Sequence, residues 1–226
     1  MSPAWPIEHV IESADDIHHR AWPTPLLRTI WRCSVTRPAV VLGSSQITTP
    51  DQEALAAEYG FDICRRASGG AAVWLSPSSS IWVDVFVPHS DVAHRDDIGK
   101  AAVVIGRAWQ AALWRIGHTT TVHQGPMVTT PLSKLWCFDG IGPGEVVDVS
   151  TGGKMVGISQ RRTRVGSRFQ CVAYLYDDSE FAQKVVGLPK NSQLRVIRPV
   201  RASSEHEIAA LISYFVAELP SINSAK

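Results

Sequence analysis

The spacing of apolar residues predicts where strands and helices form. In residues 80–87 they occupy every second position, which is typical of a strand with one buried face. Between residues 98 and 116 they recur at intervals of three and four, which is typical of an amphipathic helix. Asp96 or Asp97 can begin this helix, and Gly117 can end it. The chain therefore combines both types of element.

Capping residues predict a second helix. Thr49 precedes Pro50, and Gln52 lies three positions after Thr49, which forms a capping box with proline at the first helical position. Gly60 ends this predicted helix at 50–59. Shorter apolar segments predict strands at 29–36, 38–43, 61–66, 145–149, 154–160 and 168–176, and a last helix at about 205–219 that opens at Ser203 or Ser204.

The order of these elements favours an α+β fold. Many strands are separated by turns of hairpin length, whereas adjacent parallel strands need longer crossover connections. We expect a mixed, largely antiparallel sheet packed with helices, in one domain over residues 1–226. Residues 1–28 are predicted to be an irregular lead-in, and residues 118–144 to be rich in loops.

Composition excludes several classes of protein. Of the 226 residues, 45% are hydrophobic and 19% are charged, which is typical of a folded chain. The formal net charge of +1 favours neither nucleic acid nor an anionic membrane. No segment has the pattern of a signal peptide or a membrane span, and the four cysteines form no C-x-x-C pair. We therefore expect a cytoplasmic protein with reduced thiols, no metal site, and no nucleic-acid or membrane partner.

Residues 65–73 (RRASGGAAV) are the first candidate for chemistry. Two arginines beside a pair of glycines offer cations and accessible backbone N–H groups, which suit a phosphate or a carboxylate. A tight turn flanked by surface arginines explains the same residues, and the residues alone slightly favour it.

Lys154 and Cys137 are two further candidates. Lys154 follows a Gly-Gly turn and opens a strand, where its ammonium could bind a carboxylate and a phosphate. On spacing alone, a solvated lysine in a hairpin is the better interpretation. Cys137 lies in a glycine-rich segment and could be a nucleophile, although a lone cysteine is more often a small buried apolar residue. A basic run consists of Arg161, Arg162, Arg164 and Arg168. It could contact nucleic acid, an acidic partner protein or solvent, and nucleic acid is the least favoured of the three.

Three motifs in order carry a resemblance to a known family. Residues 37–46 (RPAVVLGSSQ) look like a family pattern of P-x-V-V-I-G-x-x-Q, and residues 65–73 look like R-R-x-S-G-G-G-A-V, with Ala71 in place of the third glycine. Residues 153–161 (GKMVGISQR) look like G-R-K-I-x-G-S-A-Q-R. Over residues 30–176 the chain thus resembles the lipoate–protein ligase A family, within the biotin/lipoate ligase superfamily.

The resemblance implies a fold, a reaction and a set of site residues. It implies a biotin/lipoate ligase-like catalytic domain, without the accessory C-terminal domain of the large lipoate ligases. Lipoate or octanoate would lie in an apolar tunnel, react with ATP in the presence of Mg²⁺ to form an acyl-adenylate, and pass to a lysine of a lipoyl domain or a glycine-cleavage H-type protein. Lys154 is the implied catalytic residue. The implied acyl and nucleotide contacts are Arg65, Arg66, Ser68, Gly69, Gly70, Ala71, Val73, Gly157, Ser159 and Gln160.

Two other functions remain open at this level. One is an ATP-independent octanoyltransferase that carries the acyl group as a thioester on Cys137, with the strand residue Cys171 as a weaker candidate. The other is a catalytically silent member of the fold that binds an acyl ligand or a partner protein. For the ligase, the sequence predicts that Lys154→Ala abolishes acyl transfer and leaves the fold intact.

Overall fold

The computed structural model describes residues 5–189, 192, 194–195 and 197–220. Its strands are β1 (Ile7–Glu12), β2 (Thr29–Val35), β3 (Ala39–Leu42), β4 (Asp62–Arg65), β5 (Val73–Leu75), β6 (Ser80–Pro88), β7 (Thr120–Val122), β8 (Val146–Asp148), β9 (Lys154–Thr163) and β10 (Gly166–Tyr174). Its helices are α1 (Ala14–His19), α2 (Pro50–Glu58), α3 (Ile98–Arg115), α4 (Glu180–Val185) and α5 (Glu205–Ala217), and a 3₁₀ turn spans Cys137–Asp139.

The strands form two sheets. The large sheet has seven strands in the order β1-β2-β6-β10-β9-β8-β7, and only its edge pair β1–β2 is parallel among the described pairings. The small sheet has the order β4-β3-β5, in which β3 is parallel to β4 and antiparallel to β5. This arrangement confirms the predicted α+β fold with a mixed, largely antiparallel sheet.

The large sheet separates two apolar cores. The alternation predicted for β6 is confirmed, because Ile81 and the three valines of its period pack with α3 and α5 on one face. Trp109 of α3 stacks there on Phe215 of α5, with ring centroids 4.3 Å apart. The intervening residues Trp82 and Phe86 pack on the other face, towards the small sheet. That second core contains the candidate site.

The predicted helices begin where their caps predicted. The Thr49 hydroxyl accepts a hydrogen bond from the Gln52 backbone N–H, and the Gln52 side chain accepts one from the Thr49 backbone N–H, so the capping box of α2 is complete. Asp97 caps α3, and Ser204 caps α5. No helix within the described ranges is long and apolar enough to cross a membrane.

The prediction of an irregular lead-in at 1–28 is wrong in part, because this segment contains β1 and α1. β1 is hard to detect because it is an edge strand with only Val10 buried, so it shows no apolar alternation. Its register is instead fixed by pairing with β2, a strand more than twenty residues later in the sequence. The loop-rich region at 118–144 also contains β7 and the 3₁₀ turn, and α4 lies in a segment for which no helix is predicted.

Candidate functional site

An apolar cavity lies between the large and small sheets. Its wall includes Val41 and Val73 from the small sheet and Trp82, Gly157 and Val172 from the large one. The interior is narrow, since the volume open to the centres of water-sized spheres is about 30 Å³.

Lys154 is buried beside this cavity and is not solvated. Its side chain is 1% exposed, and its Nζ donates a hydrogen bond to the Cys137 carbonyl oxygen at 2.8 Å. The same ammonium is 2.7 Å from Glu145 Oε2 and 5.1 Å from the centre of the Phe138 ring. Cys137 and Phe138 both line the cavity, so the ammonium lies directly behind its wall.

Glu145 is the partner that the sequence analysis missed. Its carboxylate accepts hydrogen bonds from the backbone N–H groups of Gly142, at 2.6 Å, and of Ile158, at 3.2 Å. The side chain is 5% exposed. Two backbone donors and the lysine therefore hold this buried carboxylate in place. The local sequence carries no signal for the pair, because the two residues are nine positions apart and meet only through the pairing of β8 with β9.

The glycine-rich loop packs on the loop that follows β3. A Cβ on Gly43 would lie 1.8 Å from the Gly70 carbonyl oxygen, so only glycine permits this close approach. The Ser44 backbone N–H donates to the Ser68 carbonyl at 3.2 Å, and the Gln46 side chain donates to the Leu135 carbonyl. The motifs at residues 37–46 and 65–73 therefore pack against each other as one continuous surface.

The two arginines of the loop have different surroundings. Arg66 is buried, lines the cavity and donates from Nη2 to the Ala71 carbonyl at 3.0 Å. Gly70 has φ +102°, and a Cβ there would lie 2.7 Å from Arg66 Nη2, so the site of this guanidinium requires a glycine. Arg65 is exposed and does not contribute to the cavity wall.

The remaining predicted site residues lie on β9 and in the glycine-rich loop, and not all of them face the cavity. Gly157 and Ser159 line the cavity, and Ser68 is buried next to them, with its hydroxyl 3.4 Å from that of Ser159. A Cβ on Gly157 would lie 3.1 Å from the Phe138 ring. Gln160 is paired with Phe169 of the helix-covered core and does not line the cavity. Gly69 and Gly70 are exposed, whereas Ala71 is buried.

The four cysteines differ in accessibility. Cys137 is half-buried and lines the cavity. Cys33, Cys64 and Cys171 are buried, and burial raises the pKa of all three thiols, in the case of Cys64 to about 12. Cys171 belongs to the helix-covered core, which leaves Cys137 as the cysteine with access to an acyl group.

Arg168 does not belong to the predicted basic surface. Its side chain is buried, and Nε donates to Asp84 Oδ2 at 2.8 Å. Burial raises the pKa of the Asp84 carboxyl, and the adjacent guanidinium partly opposes that shift. Arg161 and Arg164 are exposed, while Arg162 donates to the backbone carbonyls of Arg95 and Asp96.

The described residues form no group of three or more histidine, cysteine, aspartate or glutamate side chains that could hold a metal ion. We assign no step to Mg²⁺. The exposed glycine backbone of the loop, next to the Arg66 guanidinium, has the chemistry that binds phosphate groups.

Known structures share this fold. Protein Ta0514 of T. acidophilum, which carries a proposed lipoate protein ligase assignment and was solved with bound lipoic acid, is 15% identical; the match covers 94% of this chain and 85% of that one, with a TM-score of 0.67. Lipoate-protein ligase A solved with ATP is 18% identical, with the same coverage and a TM-score of 0.65. A bipartite lipoate protein ligase studied with its E2 lipoyl domain, from Thermoplasma acidophilum, is 13% identical over 97% of this chain and 84% of that one, with a TM-score of 0.64.

Comparison with curated proteins finds no match for this chain. The model of the biotin/lipoate A/B protein ligase family matches residues 43–177, which is more than half of the chain and includes cavity-wall residues from both sheets, Val73 and Val172 among them. The same range contains the glycine-rich loop, Cys137, Glu145 and Lys154. The chain therefore belongs to the biotin/lipoate A/B protein ligase family.

Proposed function

We propose that this protein activates lipoate or a related medium-chain acid with ATP and transfers the acyl group to a lysine of an acceptor protein. The observation that carries the proposal is the buried Lys154 ammonium directly behind the wall of an apolar cavity. Family membership supports a ligase-type reaction. The similar structures solved with lipoic acid and with ATP, and the similar ligase studied with its E2 lipoyl domain, support these three as acid, nucleotide and acceptor.

Lys154 has one hydrogen-bond donor left for the acid. An ammonium has three N–H donors, and two point to partners within the described chain, Glu145 and the Cys137 carbonyl. We assign the third to the carboxyl group of an acid in the cavity, which would reach the ammonium past the Phe138 ring without loss of the Glu145 pair. Because Glu145 already balances its charge, the lysine acts as a fixed donor that stabilises negative charge as it develops on the acyl oxygen.

The proposed reaction has two steps. In the first, a carboxylate oxygen of the acid attacks the α-phosphorus of ATP, and the bond to the leaving pyrophosphate breaks. Arg66 and the N–H groups around Gly69 and Gly70 would stabilise the phosphate that remains. In the second, the acceptor lysine amine attacks the acyl carbon, the bond to AMP breaks, and the amine releases a proton. The acceptor is a lipoyl domain or a glycine-cleavage H-type protein.

ATP–pyrophosphate exchange tests the first step directly. Purified protein with Mg²⁺ is assayed with lipoate, octanoate, biotin or no acid, and the proposal expects exchange that depends on lipoate or octanoate. Lys184→Ala is the matched control for Lys154→Ala, because Lys184 is an exposed lysine on α4. We expect exchange to be lost only in the Lys154 variant. Wild-type protein that shows no exchange with any of the acids would exclude the ligase.

A specific observation also supports the thioester alternative. Cys137 lines the cavity, and its own carbonyl binds Lys154, so thiol, lysine and acyl pocket adjoin one another. In this reaction the Cys137 thiolate attacks the acyl carbon of an octanoyl thioester, and the donor thiol leaves. The acceptor lysine amine then displaces Cys137. Incubation with octanoyl-acyl carrier protein should add one octanoyl mass to wild-type protein and none to Cys137→Ser, with Cys171→Ser as the control. A protein with neither exchange nor this adduct would be the silent binding member of the fold.

A further inference from the structure

A buried histidine in the cavity wall has an unused donor. His18 lies in α1, lines the cavity and is 7% exposed. Its Nδ1 is 3.0 Å from Gln170 Nε2. Its Nε2 is buried and makes no hydrogen bond to any residue in the part of the chain that the structure describes. Nothing in the sequence marks this residue, which lies in the segment predicted to be irregular.

The neighbours of His18 determine which ring nitrogen carries the proton. The Gln170 amide N–H donates to Nδ1, so Nδ1 is the unprotonated nitrogen of a neutral ring. Burial and the nearby Arg168 and Arg66 guanidinium groups hold the pKa of His18 well below its usual value, so the ring is neutral at pH 7. The proton of the neutral ring is therefore on Nε2, which makes Nε2 a donor.

The ring is held rigidly in this position. Arg168, fixed by Asp84, donates to the backbone carbonyls of Ile17 and His18. The His18 ring lies 4.8 Å from the ring of Trp82, centroid to centroid. The partner of this donor therefore comes from the contents of the cavity, either water or a bound molecule.

A second unpaired group in the same cavity is also a donor. Arg66 Nε is buried and has no hydrogen-bond partner among the described residues. Both unmet groups are N–H donors, so what would satisfy them is an acceptor. A purely hydrocarbon tail would leave these donors buried without partners, which is unfavourable.

His18 lies away from the lysine end of the cavity. Trp82, Val172 and Gly157 are in direct register across β6, β10 and β9. Two strand spacings separate Trp82 from Gly157, which is about 10 Å. The Lys154 site adjoins Gly157 through Phe138, whereas His18 adjoins Trp82. An acid bound by Lys154 would therefore bring the middle or far end of its chain to His18.

We propose that the preferred substrate is a medium-chain acid whose tail carries an uncharged oxygen acceptor, such as an oxo group, bound by His18 Nε2. The assignment of head and tail rests on the proposed function, because it places the acid's carboxyl group at Lys154. The substrate class would then be a tail-oxygenated acid, and unsubstituted octanoate would be a poorer ligand.

Isothermal titration calorimetry of the purified protein tests this without ATP or acceptor. The probes are octanoate, 7-oxooctanoate and lipoate, each titrated into wild-type protein, His18→Phe and the control His19→Phe, in which the exposed neighbouring histidine is replaced. We expect 7-oxooctanoate to bind wild-type protein about tenfold more tightly than octanoate, the value of one hydrogen bond to a buried donor. The preference should disappear in His18→Phe and persist in His19→Phe.

Each of the other possible results overturns either this inference alone or the proposed function as well. Equal binding of octanoate and 7-oxooctanoate to wild-type protein overturns this inference and leaves the proposed function standing; this comparison needs no folded variant. A preference that survives in His18→Phe shows that another group binds the oxygen, so the inference fails. An equal loss for all acids in His18→Phe overturns the inference, because the effect of His18 then does not depend on a tail oxygen. Failure of every acid to bind overturns the proposed function together with the inference.

Discussion

Replacement of Lys154 by alanine should destabilise the protein as well as inactivate it. The sequence predicted an intact fold, because the residue opens a strand after a turn. The structure instead places the ammonium in a buried ion pair with Glu145, with side chains 1% and 5% exposed. Alanine would leave the Glu145 carboxylate buried without its cation, and removal of one partner of such a pair costs about 3–5 kcal/mol.

The remaining contacts of Glu145 determine how much free energy of unfolding the Lys154→Ala variant loses. Its carboxylate keeps the backbone N–H donors of Gly142 and Ile158, which continue to stabilise the charge. We therefore expect the lower end of that range, about 3 kcal/mol. For a chain of this size, a loss of about 3 kcal/mol lowers Tm by roughly 6–12 °C. Urea and thermal unfolding followed by circular dichroism would measure both quantities.

Lys154→Met, Glu145→Gln and the double variant complete the test as a double-mutant cycle. Lys154→Met with Glu145→Gln removes both charges together and should be more stable than Lys154→Met alone, because no uncompensated charge remains buried. Lys184→Ala, on the surface, should change stability by less than about 0.5 kcal/mol. A Lys154→Ala protein that unfolds within about 0.5 kcal/mol of wild type would refute the buried pair. Additive single effects in the cycle would refute the coupling.

Three further predictions follow from other parts of the structure. Asp84→Asn should cost roughly 3 kcal/mol in urea unfolding, because it leaves the buried Arg168 cation without its carboxylate, whereas the exposed Arg161→Ala should cost less than about 0.5 kcal/mol; equal effects would show that Arg168 is not buried as described. Ellman's reagent should modify only Cys137 in the folded protein and all four cysteines in guanidinium chloride, because burial raises the pKa of the other three thiols; rapid modification of a second thiol in the native state would contradict this. The pKa of His18 is lowered by burial from its usual 6.5, so the unfolded chain binds this proton first and stability should fall as the pH decreases below about 6.5, by up to about 1.4 kcal/mol per pH unit for this group. Thermal unfolding between pH 7 and pH 5 should show a shallower dependence for His18→Phe than for wild type, and identical slopes would argue against a neutral buried ring.

Local sequence signals predicted the elements whose causes are local. The capping box at Thr49 and Gln52 depends on four consecutive residues, and the alternation at 80–87 depends on the geometry of one strand. Both therefore appear in the structure as the sequence predicted. β1 was missed for the opposite reason, because its register comes from pairing with β2. α1 does carry a local signal, since the Ser13 hydroxyl caps the helix by accepting a hydrogen bond from the Asp16 N–H, and the prediction did not use it.

The sequence by itself determined the fold class, the order of the main elements and the motifs that place the chain in its family. Only the tertiary structure decided how the site residues are used. It separated Arg66 in the cavity wall from Arg65 at the surface, gave Lys154 a buried partner in Glu145, and brought His18 to the cavity. The physical reason is that charge pairing and burial depend on distances between strands that are remote in sequence, whereas helix caps and strand alternation depend on neighbouring residues.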